Sequence, residues 1–449
     1  MDAQDESWRN APLPPPPQSN IPGTEPARVA VNNPATHQRG GKKTTKASLK
    51  LAALNIRGNG NVNINHNDNK WWRINQIISH ERISILIVGE AHLDEERLES
   101  INSVYKRQLQ VHFSRDPNTP NANGVAIVIS KGQLKTDNIT TREIIPGRAM
   151  ILETTQHDGT PLSILGVYAP NAPGENSDFW TAIQQWFESH PRTRKPDVLG
   201  GDTNFVEDAL DRLPAHEDPD SAVSAFDSLK EYLSLTDGWR DTYPTTKAYT
   251  YHQVHTGSQS RIDRIYIKRG LMEHAYEWEI ESVGIRTDHR MVTVKLTTEK
   301  APTLGHGRWV CPLYIIQHPA FKKFVHETGL VLVQRLEAVA VWEIRDEGQN
   351  AQTIWKRWKD QVYDEARHLA KIVMPKMNKE ISETEAKLKI ILGDTALSEE
   401  EIKLSGAILT EKLAALHRKR FREARMTAQV RNRLEGEVIG KYWSMINRP

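Results

Sequence analysis

Short apolar runs recur between residues 48 and 298, and each is long enough to form one β-strand. Several of them are continuously apolar, among them ISILIVGE (83–90) and DVLGGD (197–202). A continuous run is typical of a strand that is buried on both faces. Helical patterns separate some of these runs, at 71–81, 176–190 and 224–235. This mixture predicts an α/β fold in which two packed sheets are flanked by helices.

The sequence on either side of this region has a different character. Residues 1–46 contain PLPPPPQS and end in a basic stretch, which predicts a disordered, Pro-rich and basic leader. Residues 301–449 predict a helical region that contains a coiled coil and the basic run RKRFREAR. In this region Ser398 and Glu401 form a capping box, followed by the apolar stripe Ile408, Leu409, Leu413 and Leu416. Residues 48–298 are then the sheet domain.

Composition excludes several classes of protein. The sequence contains a single cysteine, Cys311, which excludes an intramolecular disulfide framework and a cysteine-rich zinc site. No stretch approaches the apolar length of a membrane span, and the polar start MDAQDESWRN does not resemble a signal peptide. The net charge of +2 does not by itself indicate nucleic acid. We therefore expect a soluble, intracellular protein with no membrane partner.

Polar side chains stand at or near the ends of the predicted strands. Each of them alone is compatible with a cap or a turn, and VLGGDTNF (198–205) in isolation favours a turn. Strand ends of a sheet protein meet at one rim, however, and binding sites are usually built there. The set of strand-end residues comprises Asn55, Glu90, Tyr168, Asn171, Asp202, Asn204, Asp263, Asp288 and His289.

Two carboxylates in this set suit a hard divalent cation. Glu90 and Asp288 offer the oxygen ligands that Mg²⁺ prefers, and Mn²⁺ is a substitute. Such an ion neutralises a phosphate oxygen and stabilises the leaving oxygen. Tyr168, Asn55 and Asn171 would supply neutral donors to other phosphate oxygens. The combination predicts phosphate-ester chemistry.

The remaining strand-end residues supply proton transfer and charge stabilisation. Asp202 is a plausible general base for an attacking water molecule, which Asn204 would orient. A protonated His289 would stabilise the charge that develops on the phosphate, and Asp263 would hold the imidazole and keep it charged. Other chemistries lack their motifs, since the sequence has no GxSxG, P-loop, HExxH or dinucleotide fingerprint.

Six ordered motifs carry a family resemblance. LNIRG, GEAHL, GVYAPN, GGDTN, SRIDRIYI and TDHRMV resemble the endonuclease/exonuclease/phosphatase superfamily over residues 48–298. The resemblance implies a four-layered α/β sandwich, with mainly antiparallel sheets, that hydrolyses phosphate esters with a divalent metal. It implies that Glu90 binds the metal with help from Asn55 and Asp288, and it gives the other residues the roles above. VLGGDTNF is then interpreted as the end of a catalytic strand.

A longer stretch indicates a branch of this superfamily. Residues 237–267 resemble apurinic endonucleases and the endonucleases of LINE-type, non-LTR retrotransposons. Abasic-site enzymes usually carry a tryptophan where this chain has Ser260, which favours the retrotransposon branch. GRWVCPLYIIQHPAF and LEGEVIGKYWSMINRP resemble the segments between such an endonuclease and its reverse transcriptase. We therefore expect a truncated element, of fungal type, that nicks double-stranded DNA and exposes a 3′-hydroxyl.

The resemblance also implies partners and DNA contacts. The candidate contacts that flank the motifs are Arg57, Arg148, Arg261, Arg264 and Tyr251. Double-stranded DNA is the expected partner, with element RNA or a reverse transcriptase supplied in trans as further partners, and DNA as a substrate implies nuclear access. Three alternatives remain open, namely an abasic-site repair endonuclease, a phosphomonoesterase or lipid phosphodiesterase, and a non-catalytic scaffold that binds nucleic acid or protein.

Overall fold

The computed structural model describes residues 47–58, 60–61, 66, 69–117, 123–253, 255–303, 311, 313–316, 318–341, 350–394 and 396–436. Within these ranges side chains are described except at 340–341, 373–377 and 419–436. The predicted leader, residues 1–46, therefore lies outside the described residues. The same holds for residues 437–449 of the C-terminal motif and for most side chains of the basic run 418–425.

The strands of the described chain lie between Leu49 and Leu296. In chain order they are β1 (Leu49–Asn55), β2 (Ile83–Gly89), β3 (Leu109–Ser114), β4 (Val125–Ser130), β5 (Thr140–Ile145), β6 (Ala149–Thr155), β7 (Pro161–Tyr168), β8 (Val198–Asp202), β9 (Arg212–Leu213), β10 (Leu235–Asp237), β11 (Tyr251–His252), β12 (Gln259–Ser260), β13 (Asp263–Lys268), β14 (Ala275–Glu281) and β15 (Met291–Leu296). The two apolar runs named above, ISILIVGE and DVLGGD, coincide with β2 and β8.

The α-helices fall into two groups, one among the strands and one after them. The first group is α1 (Lys70–His80), α2 (Glu95–Tyr105), α3 (Pro173–Ser189), α4 (Asp220–Leu233) and α5 (Gly238–Thr242). The second group is α6 (Leu313–Ile316), α7 (Pro319–Val341), α8 (Ala351–Gly393) and α9 (Glu399–Gly436). Within the described residues, every helix is either too short or too polar to cross a lipid bilayer.

Two six-stranded sheets form the middle of the structure. Their strand orders are β14-β15-β1-β2-β4-β3 and β10-β13-β8-β7-β6-β5. Neighbouring strands are antiparallel except for the pairs β1–β2 and β7–β8, which are parallel. A small third sheet has the order β11-β12-β9. The parallel pairs place the ends of β1, β2, β7 and β8 on the side where the strand-end polar residues lie.

Three apolar layers hold the sheets and helices together. Side chains such as Ile87 and Ile265 fill the space between the two large sheets. On the outer face of the first sheet, α1 and α2 pack through residues that include Trp71. On the outer face of the second sheet, α3 and α4 pack through residues that include Trp180 and Phe226. Each fully buried side chain of this kind contributes about 1.5–3 kcal/mol. The predicted four-layered α/β sandwich is confirmed.

Pattern analysis missed the four strands at the edges of the large sheets, which are β14, β3, β10 and β5, and the short strands of the third sheet. In β5, residues 140–143 are exposed, and β14 is mostly half-buried at the edge of its sheet. Such edge strands carry polar residues on both faces and produce no apolar run. The predicted helices at 71–81, 176–190 and 224–235 correspond to α1, α3 and α4, with ends displaced by a few residues.

The C-terminal helices pack against the sheet domain. The capping box is present, because Glu401 Oε2 accepts from the Ser398 backbone N–H at 3.0 Å and from its hydroxyl at 2.8 Å. Of the predicted apolar stripe, Leu413 is buried. Leu409 packs against an apolar cluster that includes Leu213 of β9 and Leu392 of α8. Ile408 was wrongly assigned to this stripe, since 61% of its surface is exposed on the outer side of α9.

Candidate active site

The catalytic strand predicted from VLGGDTNF is β8, which ends at Asp202. Its register places Asp202 beside Tyr168 of β7 and beside Asp263 of β13. The close packing of β8 requires glycine at position 201, where φ is +141° and a Cβ atom would lie 1.9 Å from the Val167 carbonyl oxygen. The segment therefore forms a central strand, with its carboxylate at the strand end.

Asn55 connects the two large sheets at the site. Its Nδ2 donates to Glu90 Oε1 and to Asp202 Oδ2, each at 2.9 Å, while its Oδ1 accepts from the Arg57 backbone N–H. Asn55 thus holds two carboxylates in place, and in this arrangement its own oxygen is engaged by the backbone. Glu90 has a φ of +48°, a left-handed conformation that non-glycine residues rarely adopt and that often occurs at functional sites.

Asp263 and His289 form a buried pair next to Asp202. The distance between His289 Nδ1 and Asp263 Oδ2 is 2.7 Å. Burial lowers the pKa of His289, but the charge of Asp263 and its hydrogen bond outweigh this effect and hold that pKa at about 9. The imidazole is therefore positively charged at neutral pH, as the sequence analysis expects for a group that stabilises phosphate charge.

Asp202 has the electrostatic properties of a general base. Burial raises its pKa to about 7, the charge of Asp263 adds to this effect, and the charge of His289 opposes it. Its Oδ1 accepts from the Asn204 backbone N–H at 3.0 Å, and Asn204 Nδ2 donates to the Ala169 carbonyl at 2.8 Å. Near neutral pH this carboxylate can take up a proton and release it again.

Two groups of side chains could hold a cation. Asp202, Asp263 and His289 have potential ligand atoms within 4.8 Å of one another, but the last two residues already bond each other. Glu90 and Asp288 line the same cleft, and Asp288 Oδ1 is buried without a hydrogen-bond partner among the described residues. A buried carboxylate oxygen that lacks a hydrogen bond, in a cleft lined by a second carboxylate, fits a hard divalent cation such as Mg²⁺.

A cleft of about 540 Å³ collects most of the predicted residues. Tyr168 lies behind it and is buried; burial raises its pKa above the usual range, and the charges of Glu90 and Asp202 raise it further, so the hydroxyl stays protonated. Arg148 lies over the Tyr168 ring, 5.0 Å from its centroid. The predicted residues that line the cleft are Arg57, Glu90, Asn171, Asp202, Asn204, Tyr251, Asp288 and His289.

The prediction that Arg261 and Arg264 contact DNA is wrong. Only 2% of the Arg261 surface is exposed, and its guanidinium donates to both carboxylate oxygens of Asp211, at 2.7 and 2.6 Å. Arg264 is also buried, and its Nη1 donates to Glu207 at 2.6 Å. Both guanidinium groups are neutralised inside the domain, where they hold β13 against the segment around Asp211.

Three residues that the sequence analysis missed support the site. Thr250 Oγ1 accepts from the backbone N–H of Asp263 at 2.9 Å and so fixes the residue that holds His289. Thr287 Oγ1 donates to the Asn55 carbonyl at 2.9 Å. Lys70 Nζ donates to the Arg57 carbonyl at 3.1 Å, and burial lowers its pKa to about 8. Thr287 is the first residue of the TDHRMV motif, and this was the one available signal in the sequence.

Comparison with known proteins gives matches in sequence and in fold. The model described as the Endonuclease/Exonuclease/phosphatase family matches residues 52–289. The "Transposon TX1 uncharacterized 149 kDa protein" of Xenopus laevis is 30% identical over 288 residues, which are 63% of this chain. The chain spans only about 20% of the length of that relative.

Solved structures with a similar fold include AP endonuclease LMAP from Leishmania major, with a TM-score of 0.47 and 11% identity over 56% of this chain and 88% of that chain. The endonuclease domain of TRAS1, described as a telomere-specific non-LTR retrotransposon, has a TM-score of 0.40 and 12% identity over 56% of this chain and 100% of that domain. The family match covers more than half of the chain and contains every predicted site residue from Asn55 to His289. The chain therefore belongs to the endonuclease/exonuclease/phosphatase family.

Proposed function

We propose that this protein is a Mg²⁺-dependent endonuclease that nicks double-stranded DNA and leaves a 3′-hydroxyl. The observation that carries the proposal is the cluster joined by Asn55, which bonds both Glu90 and Asp202 beside the Asp263–His289 pair. One cleft thus contains a base with a pKa near neutrality, a cationic imidazole and carboxylates suited to a metal. These groups match the needs of phosphodiester hydrolysis.

Each residue of the cluster has a separate role in the reaction. Asp202 removes a proton from a water molecule, whose oxygen bonds to phosphorus while the bond from phosphorus to the 3′ oxygen breaks. The 3′ oxygen takes up a proton from solvent and leaves a 5′-phosphate on the other end. His289 donates from its imidazolium to a phosphate oxygen, and the protonated Tyr168 hydroxyl is a second donor.

Glu90 and Asp288 would hold the divalent cation, for which Mn²⁺ is a substitute. When bound, the cation neutralises negative charge on the phosphate. Asp288 Oδ2 already accepts from Arg57 Nη1 at 2.8 Å, so Arg57 positions this carboxylate at the mouth of the cleft. Since 69% of the Arg57 side chain is exposed, its guanidinium can also reach a DNA phosphate.

We propose that this nick serves the insertion of a retrotransposon. The 30% identity to a transposon protein supports this proposal over an abasic-site repair role. At the cleft rim, Ser260 pairs with Tyr251 and Arg212 and offers no large apolar wall for an abasic sugar. The exposed 3′-hydroxyl would then prime a reverse transcriptase supplied in trans with element RNA, which requires access to the nucleus.

A plasmid assay tests this proposal. Supercoiled plasmid is incubated with the full chain and Mg²⁺, with and without EDTA, beside Asp202→Asn and His289→Ala. We expect open circles with the wild type alone, and a rate lower by about 10²–10⁴-fold without the base. Asp364→Asn is the matched control, because that carboxylate is 74% exposed on α8 and lies outside the cleft.

A loss of nicking is informative only if the variant is folded, so the thermal melting of each protein is measured beside its nicking assay. Intact plasmid with well-folded wild type would refute DNA nicking, and parallel reactions with abasic duplex, inositol phosphates and sphingomyelin would then identify the substrate class. Nicking that survives both cleft substitutions would place the reaction elsewhere on the chain and support the scaffold alternative for this site.

A further inference from the structure

One side of the cleft is made by the small sheet β11-β12-β9, here called the rim sheet. Arg212, Tyr251 and Ser260 of this sheet line the cleft. Of the alternate residues, Leu213 packs against the C-terminal helices, while Gln259 lines the cleft and also brings its side-chain Nε2 close to Gly406 of α9. Because neighbouring residues of a strand point to opposite faces, the rim sheet lies between the cleft and the helical pair α8 and α9.

The contact between the rim sheet and the helical pair is closely packed. Leu213 and Tyr249 share an apolar cluster with Leu388 and Leu392 of α8 and with Ile402 of α9. Gly406 lies within α9, where glycine is unfavourable, and a Cβ atom there would lie 3.1 Å from Gln259 Nε2. The absence of a side chain at position 406 lets the helix approach the rim sheet.

A second contact reaches the loop that carries His289. Arg290 follows this histidine, and its backbone N–H donates to the Thr250 carbonyl at 2.6 Å. Its guanidinium is buried against α9, where Nη2 donates to Thr410 Oγ1 at 3.1 Å. Tyr251 forms a bridge with His289 across the same loop, and the centroids of their rings are 4.9 Å apart.

We propose that α8 and α9 form a buttress that positions the rim sheet and the His289 loop, and that this buttress determines how tightly and at which sites the cleft binds duplex DNA. The proposal rests on the proposed nicking function and extends it to the helical region. Thr410 and Gly406 are positioning residues, since they act through Arg290 and Gln259. The helical region is then a part of the nuclease.

Substitutions at Thr410 test the hydroxyl contact in the full chain. Thr410→Val removes the acceptor, and we expect the KM for duplex DNA to rise about fivefold, with kcat changed less than about twofold and a broader set of nick positions. Thr410→Ser keeps the hydroxyl and should restore the wild-type values. Thr384→Val is the matched control, because the buried Thr384 hydroxyl bonds the Glu380 carbonyl within α8.

A substitution at Gly406 tests the close approach of α9 to the rim sheet independently of Thr410. Gly406→Leu should separate α9 from the rim sheet and raise the KM in the same direction. Gly329→Leu is its control, because a Cβ atom at position 329 of α7 meets nothing within 4 Å. Folded Thr410→Val and Gly406→Leu proteins with wild-type KM and nick positions would overturn the proposal.

Amide hydrogen exchange separates this proposal from the function on which it rests. In Thr410→Val the Arg290 and His252 amides, which bond Thr250 and Asp288, should exchange about fivefold faster than in the wild type. Unchanged exchange at both amides would overturn the buttress whether or not the protein nicks DNA. Faster exchange in a protein that cuts no DNA would refute the proposed function alone.

Discussion

Replacing Arg261 with methionine distinguishes a buried structural arginine from a DNA contact. The substitution removes the guanidinium that pairs with both Asp211 and Asp237. Arg264 still pairs with both carboxylates, and Arg240 still pairs with Asp211. Removing one member of a buried ion network costs about 3–5 kcal/mol, and the remaining partners favour the lower end, about 3 kcal/mol. For a domain of this size that loss lowers the melting temperature by about 6–12 °C.

The assay combines thermal melting with duplex-DNA binding across a salt series. Arg57→Met is the matched variant, because the exposed Arg57 should keep its melting temperature while DNA affinity and its salt dependence fall. A folded Arg261→Met protein that melts like the wild type but binds DNA more weakly would refute the assignment of Arg261 to the interior.

Three further predictions concern the catalytic groups and the strand that carries Asp202. The nicking rate should rise as the pH increases through about 7, because Asp202 loses its proton there. It should fall as the pH increases through about 9, because His289 loses its proton there. A flat profile from about pH 6 to 10 would contradict both roles. Asp263→Asn removes the charge that outweighs burial at His289, so the alkaline limb should move toward lower pH, with about tenfold less activity at pH 8. Gly201→Ala should destabilise the domain by at least about 2 kcal/mol in urea unfolding, because its Cβ would overlap the Val167 carbonyl, and unchanged stability would refute the packing of β8.

The interior of the fold was predictable because strands that are buried on both faces have continuously apolar sequences. ISILIVG forms β2 with all of its residues buried, and such a run has few other interpretations. Exposed strands have no continuous apolar run, and the sequence TTREII of β5 is typical of a polar loop. Pattern analysis therefore identified the sheets through their central strands and missed several of their edges.

The site was predictable where its residues end strands and unpredictable where they depend on distant contacts. Glu90 and Asp202 follow apolar runs, so their convergence could be expected before any contact was known. Arg261 stands in the same motif as Asp263, and the sequence alone does not tell which of these two side chains meets an interior carboxylate. The hydrogen bond between Arg290 and Thr410 joins residues 120 positions apart and leaves no local pattern.

The central claim is that this cleft hydrolyses DNA and leaves a 3′-hydroxyl, and the chemistry of the nick tests it most directly. Plasmid treated with the full chain and Mg²⁺ is passed to a DNA polymerase with labelled nucleotides, with no phosphatase step. Label should enter the nicked strand after treatment with the wild type and not with Asp202→Asn. Intact plasmid from folded wild-type protein, or nicks that are extended only after a 3′-phosphate is removed, would contradict the account.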